Sequence, residues 1–392
     1  MERFDVVILG AGAAGMICAA EAGRRGRSVL VIDHAKAAGE KIRISGGGRC
    51  NFTNLETGAD RFLSRNPRFS HSALKRFTPR DFIARVDAAG IAWHEKTQGQ
   101  LFCDGPATQV VAMLLRDMSQ AGVELWLGCA PGELRRKADG FELHTARGLV
   151  TAASVVVATG GKSIPKMGAT GYGYRLAETF GLRVTETRPG LVPLTFAEQE
   201  LAWMRPLAGV SVAGCVRAGP ANFREAILFT HRGLSGPAVL QASSYWREGE
   251  PVLLDLAPGA DVTTLLRQVR AAEPRIAPRT ALARLLPERL ARHLEVEAGL
   301  GGTVAEMSNA TVERMAAQVH RRTVRPVGTE GYRTAEVTLG GVETDDLDAR
   351  TMQVKAVPGL FFVGEVVDMT GWLGGYNFQW AWSSGWAAGQ AA

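Results

Sequence analysis

Asp5-Val6-Val7-Ile8-Leu9 is a short, unbroken apolar run, and Gly10-Ala11-Gly12-Ala13-Ala14-Gly15 follows it directly. Continuous apolar character of this kind predicts a parallel strand buried on both faces. An Ala-rich stretch with helical spacing continues to about Arg25, and Ser28-Val29-Leu30-Val31-Ile32 is a second such run. Strand, glycine turn, helix and strand within about 30 residues predict a βαβ unit.

Two later runs fit the same sheet: Ser154 to Gly161, ending in glycines, and Gly359 to Glu365. Alternation in Val123-Glu124-Leu125-Trp126-Leu127 and in Phe141-Glu142-Leu143-His144-Thr145 predicts an antiparallel β excursion. Over 191–260 the chain changes to short alternating segments, and Ser235-Gly236-Pro237 marks a helix start, with serine able to cap. From 261 to 325 the pattern is helical, cut by Pro274, Pro278 and Pro287, and strand-like runs return near 335. The expected organisation is a sheet domain over 1–190 and 331–392, interrupted by a β part (191–260) and a helical part (261–330).

Composition changes this picture little. A chain of 392 residues, 46% hydrophobic and 21% charged, is globular rather than disordered. Five cysteines without a CxxC pair fit neither a disulfide framework nor a zinc site, and the histidines show no metal-ligand spacing. No cationic leader precedes the first run and no apolar stretch approaches about 20 residues, so a cytoplasmic protein with no membrane partner is expected. Charge is more informative. Of the formal +6, the segment 262–325 carries +5, from 11 Arg and 6 Glu with no Lys or Asp. Such a segment is either an RNA-facing surface or, the reading we favour from sequence, a solvated helical face of Glu–Arg pairs. It contains no aromatic residue for base stacking.

The chemistry gathers in three glycine-rich blocks. Gly10-x-Gly12-x-x-Gly15, between a strand and a helix, permits the tight turn, close approach of backbone to a pyrophosphate, and close helix packing. Asp33 ends the second strand, where an acid accepts ribose hydroxyls. A fingerprint so near the start, with Val363-Gly364-Glu365 on a late strand, favours FAD over NAD. No second GxGxxG exists, so NAD(P)H is expected only as a transient reductant, if the enzyme uses it at all. The second block, Ser45-Gly46-Gly47-Gly48-Arg49-Cys50-Asn51-Phe52-Thr53-Asn54, reads as a polar loop able to lie against a flavin, or as a plain surface loop. The third, Asp368 through Gln379, joins the last strand to a helix over Trp380–Ala388, whose N-terminus could meet an anionic flavin. Trp372 in its turn is the ligand-facing candidate, whereas Trp382 and Trp386, four apart, read as core.

Catalytic candidates are weak. Cys50 beside Arg49 is either an activated thiol or, with more weight, a small packed residue. Arg49 is read as a cofactor contact more than a substrate one, and His231 as a proton donor or a turn residue bonded to backbone.

Together these blocks resemble the BaiN-like (YhiN-like) NAD(P)/FAD-dependent oxidoreductases. The likeness also runs through Ala158-Thr159-Gly160-Gly161, Pro165-Lys166, Gly171-Tyr172-Gly173, Phe229 to Pro237, Val337 to Val342 and Gly364 to Asn377, nearly the whole chain. It implies an α/β fold: a discontinuous, glutathione-reductase-like FAD-binding Rossmann domain with an inserted β-barrel part and a helical part. It implies non-covalent FAD held by Gly10, Ala11, Gly12, Ala14, Gly15, Asp33, Lys41, Ser45, Gly46, Gly47, Gly48, Arg49, Cys50 and Asn51. Thr159, Gly160, Gly161, Gly364, Glu365, Gly374, Gly375, Tyr376 and Asn377 complete that set, with Trp372 and Tyr376 toward substrate. This chain departs from the pattern at Asp33, where relatives carry Glu, at Phe102-Cys103, where relatives follow Phe with Pro, and in a shorter 261–330 segment. Members of the family reduce conjugated double bonds of bile-acid type, oxidise a small amine, or reduce a uridine in ribosomal RNA. The expected function is therefore hydride exchange at flavin N5 with a small or conjugated substrate. The alternatives are dihydrouridine formation in ribosomal RNA, through the Arg-rich segment, and a flavin-bound sensor without turnover.

Overall fold

The computed structural model describes residues 2–392, which divide into two compact units. The first runs to Arg188 and resumes at Val337–Ala392; the second is Pro189–Glu336.

The first unit is built on β1 (Glu2–Leu9), α1 (Ala13–Arg24) and β2 (Val29–Ile32). β1 pairs in parallel with β2 on one side and with the strand Gly148–Val157 on the other, and the latter pairs in parallel with Leu360–Phe362. Val6, Val7, Ile8 and Leu9 are fully buried, as a strand flanked by strands and covered on both faces requires. Each such side chain contributes about 1.5–3 kcal/mol of burial. The ten-residue strand Gly148–Val157 has two roles. β1 runs in parallel along one edge from Val150 to Val157, while the other edge pairs antiparallel with Gly140–Thr145 over its first half, that strand pairing in turn with Pro131–Lys137, and in parallel with Leu360–Phe362 over its second.

One expectation is corrected here. Glu124–Trp126 does not join the antiparallel excursion but is a parallel edge strand beside β2. The helix Thr108–Gln120 immediately before it supplies the crossover that a parallel strand needs.

The C-terminal helix begins earlier than its apolar pattern suggested, at Tyr376, and runs to Gly389. Trp380 and Trp382 are buried in it, each indole N–H donating to a carbonyl: Trp380 to Gly364 O at 3.0 Å, Trp382 to Phe52 O at 2.7 Å. Trp382 stacks on Phe82 at 4.3 Å, so the core reading of this residue holds. Trp386 stacks on Phe77.

In the second unit, seven strands follow one path whose ends are Arg322–Val324 and Pro326–Thr329. Only Arg325 separates these two end strands, so one chain segment joins both edges and the sheet closes on itself as a barrel, which removes its free edges. The helices between Val262 and His320 are inserted between the barrel strands Val252–Asp255 and Arg322–Val324. The span 261–330 is thus helical only to His320; its last residues are barrel strands, whose mixed polar pattern hid them. Ser235 is in a strand, and the helix Pro237–Ser243 starts from Gly236 without a side-chain cap. No helix among the described residues is long and apolar enough to cross a membrane.

Candidate active site

The turn between β1 and α1 shows why its glycines differ. A Cβ on Gly15 would lie 1.9 Å from Gly10 O, so α1 can cross the strand end this closely only with glycine there. Gly10, at φ +114, would place a Cβ 2.4 Å from Ala158 O. A Cβ on Gly12 would meet nothing within 4 Å. Gly12 caps α1 with no side-chain hydrogen bond, and no acidic residue occupies the first turn. The helix therefore presents its first N–H groups and the positive end of its dipole to open space, a ready anion site. Asp33, at the end of β2, accepts from Ala11 N–H at 2.7 Å through Oδ2 and from Ala35 N–H at 2.8 Å through Oδ1. It thereby anchors the glycine turn while each oxygen keeps a lone pair for a ribose hydroxyl. An uncapped helix start, an open Gly12 and a nearby carboxylate fit the pyrophosphate and ribose of a dinucleotide.

A second group collects at the end of the next strand. Lys41, on α2 (Glu40–Gly48), places Nζ 2.8 Å from Glu365 Oε2 and 2.6 Å from Ser163 Oγ. Glu365 Oε1 accepts from Thr338 N–H at 2.9 Å and from Ser163 Oγ at 3.1 Å. Burial pushes the Glu365 carboxyl up, but the Lys41 ammonium and these hydrogen bonds outweigh it and hold the pKa below its ordinary value. Gly161 packs tightly here: a Cβ would lie 2.5 Å from Glu365 Oε1. The Thr338 hydroxyl accepts from Lys162 N–H and Ser163 N–H. The Thr159 hydroxyl beside this group is shut off from solvent with no hydrogen-bond partner.

The block read as a loop at 45–54 is more ordered than that. It is the distorted end of α2, non-helical at Ser45, Gly46 and Gly47, followed by β3 (Asn51–Asn54). Cys50 joins them with a left-handed φ of +47, fully buried. Burial pushes its thiol up to about 12, against a hydrogen bond with Ser45 that acts the other way. This burial favours the packed reading of Cys50 over the activated thiol. Arg49 is exposed and donates to Asp104 O at 3.2 Å.

β3 is fastened to the C-terminal helix. Thr53 Oγ1 donates to Gln379 Oε1 at 2.6 Å and Asn54 Nδ2 to Gly374 O at 2.9 Å, all buried. Gly375, at φ +93, opens the helix where a Cβ would strike Thr53 O at 2.3 Å. The uncapped N-terminus of this helix, like that of α1, is thus held against β3 by close backbone packing. Asn377 turns its amide back on the preceding turn, bonding both N–H and O of Gly371. Tyr376 is buried, its ring edge-on against Phe62. Trp372 is partly buried under the Arg61 guanidinium, 4.6 Å from its ring.

The first unit thus brings together the fingerprint, Asp33, Lys41, Gly160, Gly161, Glu365, the 45–51 segment and Gly374–Asn377. His231 is elsewhere in the chain, exposed in the turn between the strands Ala221–Thr230 and Gly233–Ser235 of the second unit. Sequence reasoning missed Ser163 and Thr338 as site residues. Their signal was position, a hydroxyl two or fewer residues from a glycine pair at a strand end in each case.

Comparison with known proteins agrees with this geometry. The family model described as HI0933-like protein Rossmann domain matches residues 4–391. The chain is 50% identical over 392 residues to the ribosomal RNA dihydrouridine synthase of Escherichia coli K12, covering 100% of this chain and 98% of that one. It is 45% identical to the Haemophilus influenzae protein of the same name, over 97% and 96%. It is 28% identical to the 3-dehydro-bile acid delta(4,6)-reductase of Clostridium scindens, over 98% of both. Among solved structures, a 3-ketosteroid-delta4-(5alpha)-dehydrogenase from Rhodococcus jostii shares the fold, with a TM-score of 0.54 at 16% identity, covering 100% and 96% of the two chains. The chain belongs to the HI0933-like Rossmann-domain family and is an FAD-dependent oxidoreductase.

Proposed function

We propose that this chain reduces a uridine of ribosomal RNA to dihydrouridine. The observation that carries the proposal is the 50% identity, across the full length of both proteins, to an enzyme so named. From sequence alone a small conjugated substrate led and RNA was the alternative; the difference between 50% and 28% identity reverses that order.

The two substrate classes share their chemistry. The uracil C5=C6 bond is conjugated with the C4 carbonyl, as the double bonds of an enone are. Hydride adds at the carbon β to the carbonyl, and a proton completes the α carbon. The flavin, when bound and already reduced, would supply the hydride from N5 and be left oxidised. NAD(P)H is the reductant we assign, binding transiently because the chain has no second dinucleotide fingerprint.

The protein's share is position and electrostatics. The N–H groups at the start of α1 and the open face of Gly12 would hold the pyrophosphate, with Asp33 on the adenosine ribose. Lys41 and Glu365, neutralising each other, would wall the middle of the cofactor without adding net charge there. Gly46–Asn51 and the helix start at Gly374–Gly375 would enclose the ring, the helix dipole favouring the anionic reduced form.

The test is the dihydrouridine content of ribosomal RNA from a strain lacking this gene, with and without a plasmid copy. Loss on deletion and return on complementation are expected. Unchanged content would overturn the RNA reading and leave a small-molecule reductase or a sensor.

A further inference from the structure

The structure redistributes the charge of the Arg-rich segment. Five of its eleven arginines are neutralised by glutamates: Arg267 by Glu313, Arg279 by Glu295, Arg284 by Glu273, Arg292 by Glu288 and Arg322 by Glu297. Those pairs are the solvated Glu–Arg contacts that the sequence favoured, whereas Arg270 and Arg289 donate to the carbonyls of Met307 and Pro206 and Arg275 is exposed. What remains is different in kind. Arg321, at the end of the helix before the closing strands, Thr323, Arg325 between the strands, and Val327 are exposed in alternation, with Val324 and Pro326 buried. Neither the Arg321 nor the Arg325 side chain meets a carboxylate among the described residues. Four residues of extended chain set them about 13 Å apart, so they reach separate charges rather than one. Arg314, also exposed without a carboxylate partner, projects from the helix Asn309–His320 on the same face as Gln318, one turn on.

Arg321 also lines a cavity of 590 Å³ within the second unit, with Glu200, Trp203, Glu297, Gln318 and Arg322. That volume is within the range of about 300–1,000 Å³ usual for small-ligand pockets. One wall is rigid. The Arg322 guanidinium lies 3.7 Å over the Trp203 ring and forms two 2.8 Å hydrogen bonds to Glu297, so its charge is satisfied. Another wall is unfinished: Gln318 Oε1 is shut off from solvent and has no hydrogen-bond partner. A buried acceptor without a donor is unfavourable, so the Gln318 amide gains by turning toward a donor that enters the cavity. Glu200, whose Oε2 accepts from Trp203 Nε1 at 3.3 Å, adds a second acceptor.

The geometry points to a binding site for a single-stranded segment of the RNA substrate on this face of the barrel. Arg321 and Arg325 contact its phosphates, and an unpaired base presenting N–H donors enters the cavity toward Gln318 and Glu200. Phosphate contacts set position and the base contact adds selectivity, the usual division in RNA recognition. This rests on the reading of ribosomal RNA as substrate.

The test measures binding of protein-free ribosomal RNA, from a strain lacking the gene, to FAD-loaded protein at several salt concentrations. Arg321→Gln/Arg325→Gln should weaken binding by roughly tenfold at moderate salt. It should also flatten the slope of log K against log salt by about 1.4, or roughly 0.7 per phosphate contact on a single strand. Gln318→Leu should weaken binding severalfold with the slope unchanged. Arg267→Gln/Arg284→Gln removes as much charge from paired positions and should keep the wild-type slope. Flavin absorbance and melting temperature verify folding of each variant. A wild-type slope in Arg321→Gln/Arg325→Gln would overturn this site while leaving uridine reduction standing. Failure of the wild type to bind ribosomal RNA would overturn both.

Discussion

Lys41 Nζ lies 2.8 Å from Glu365 Oε2, joining residues 324 positions apart in the chain. The pair fastens α2 to the end of the last parallel strand. Both side chains are mostly buried, 33% and 19% exposed, so neither charge is well solvated without the other.

Lys41→Met tests that dependence. The folded-state pKa of Glu365 is depressed, so its contribution to stability is present above the unfolded carboxyl value of about 4.3 and is lost as pH falls through the folded value. Without Lys41, burial becomes the dominant influence and pushes the carboxyl up instead. The variant should lose about 1.5–3 kcal/mol at pH 7, by urea unfolding, and the deficit should shrink toward pH 4. A deficit independent of pH would show that the loss is packing rather than charge.

The fingerprint glycines should separate stability from cofactor affinity. Gly15→Ala puts a methyl into Gly10 O and should prevent normal folding of the turn. Gly12→Ala meets no atom, at φ −86, and should leave the melting temperature of the FAD-free protein nearly unchanged. Its methyl would project toward the assigned pyrophosphate position, raising the FAD Kd roughly tenfold or more. Normal FAD affinity in the Gly12→Ala variant would move the phosphates away from this turn.

How much of this was visible in the sequence depends on the distance over which each signal acts. β1, the glycine turn, α1 and β2 were legible because strand character, turn and helix are local and mutually consistent. The parallel placement of Glu124–Trp126 was not, since three residues show alternation whichever neighbour they pair with. The closing strands at 322–329 were hidden because they follow Arg321 with Arg322 and Arg325, continuous in composition with the helices before them. Lys41 and Glu365 were both placed near the cofactor, but their pairing with each other, and the hydroxyls of Ser163 and Thr338 beneath them, exist only after folding. Cys50 shows the limit most clearly. Its neighbour Arg49 suggested activation, whereas full burial favours the opposite.

That burial carries an alkaline signature. The thiols of Cys50 and Cys103 are pushed up, to about 12 and about 11, and Cys18 is raised as well, each chiefly by burial. A thiol kept protonated in the fold but free to ionise when unfolded contributes stability below the unfolded value of about 8.5, which is lost as pH rises above it. Unfolding free energy should therefore fall above pH 8.5, each thiol adding about 1.4 kcal/mol per pH unit to the slope. Cys50→Ala should reduce that slope by one thiol's share while leaving FAD content and turnover intact. Loss of turnover with normal FAD content would restore Cys50 as a catalytic candidate.

Asp33 divides the anchoring of the turn from the binding of the ribose. Its oxygens accept from Ala11 and Ala35, and the short side chain reaches both without moving from the strand end. In Asp33→Asn the amide keeps one acceptor but turns an NH2 group toward the other N–H donor. The FAD-free protein should lose about 1–2 kcal/mol, and the charge-assisted bond to a ribose hydroxyl is lost in addition. Asp33→Glu keeps the acid and places it one methylene further out. It should weaken the Ala11 contact, with a stability cost like that of Asn, yet retain FAD affinity within a fewfold. Titration of FAD into apo-protein, followed by flavin fluorescence, separates the two effects. If Asp33→Asn and Asp33→Glu bind FAD equally well, the carboxylate serves the turn alone and the ribose is held by something else.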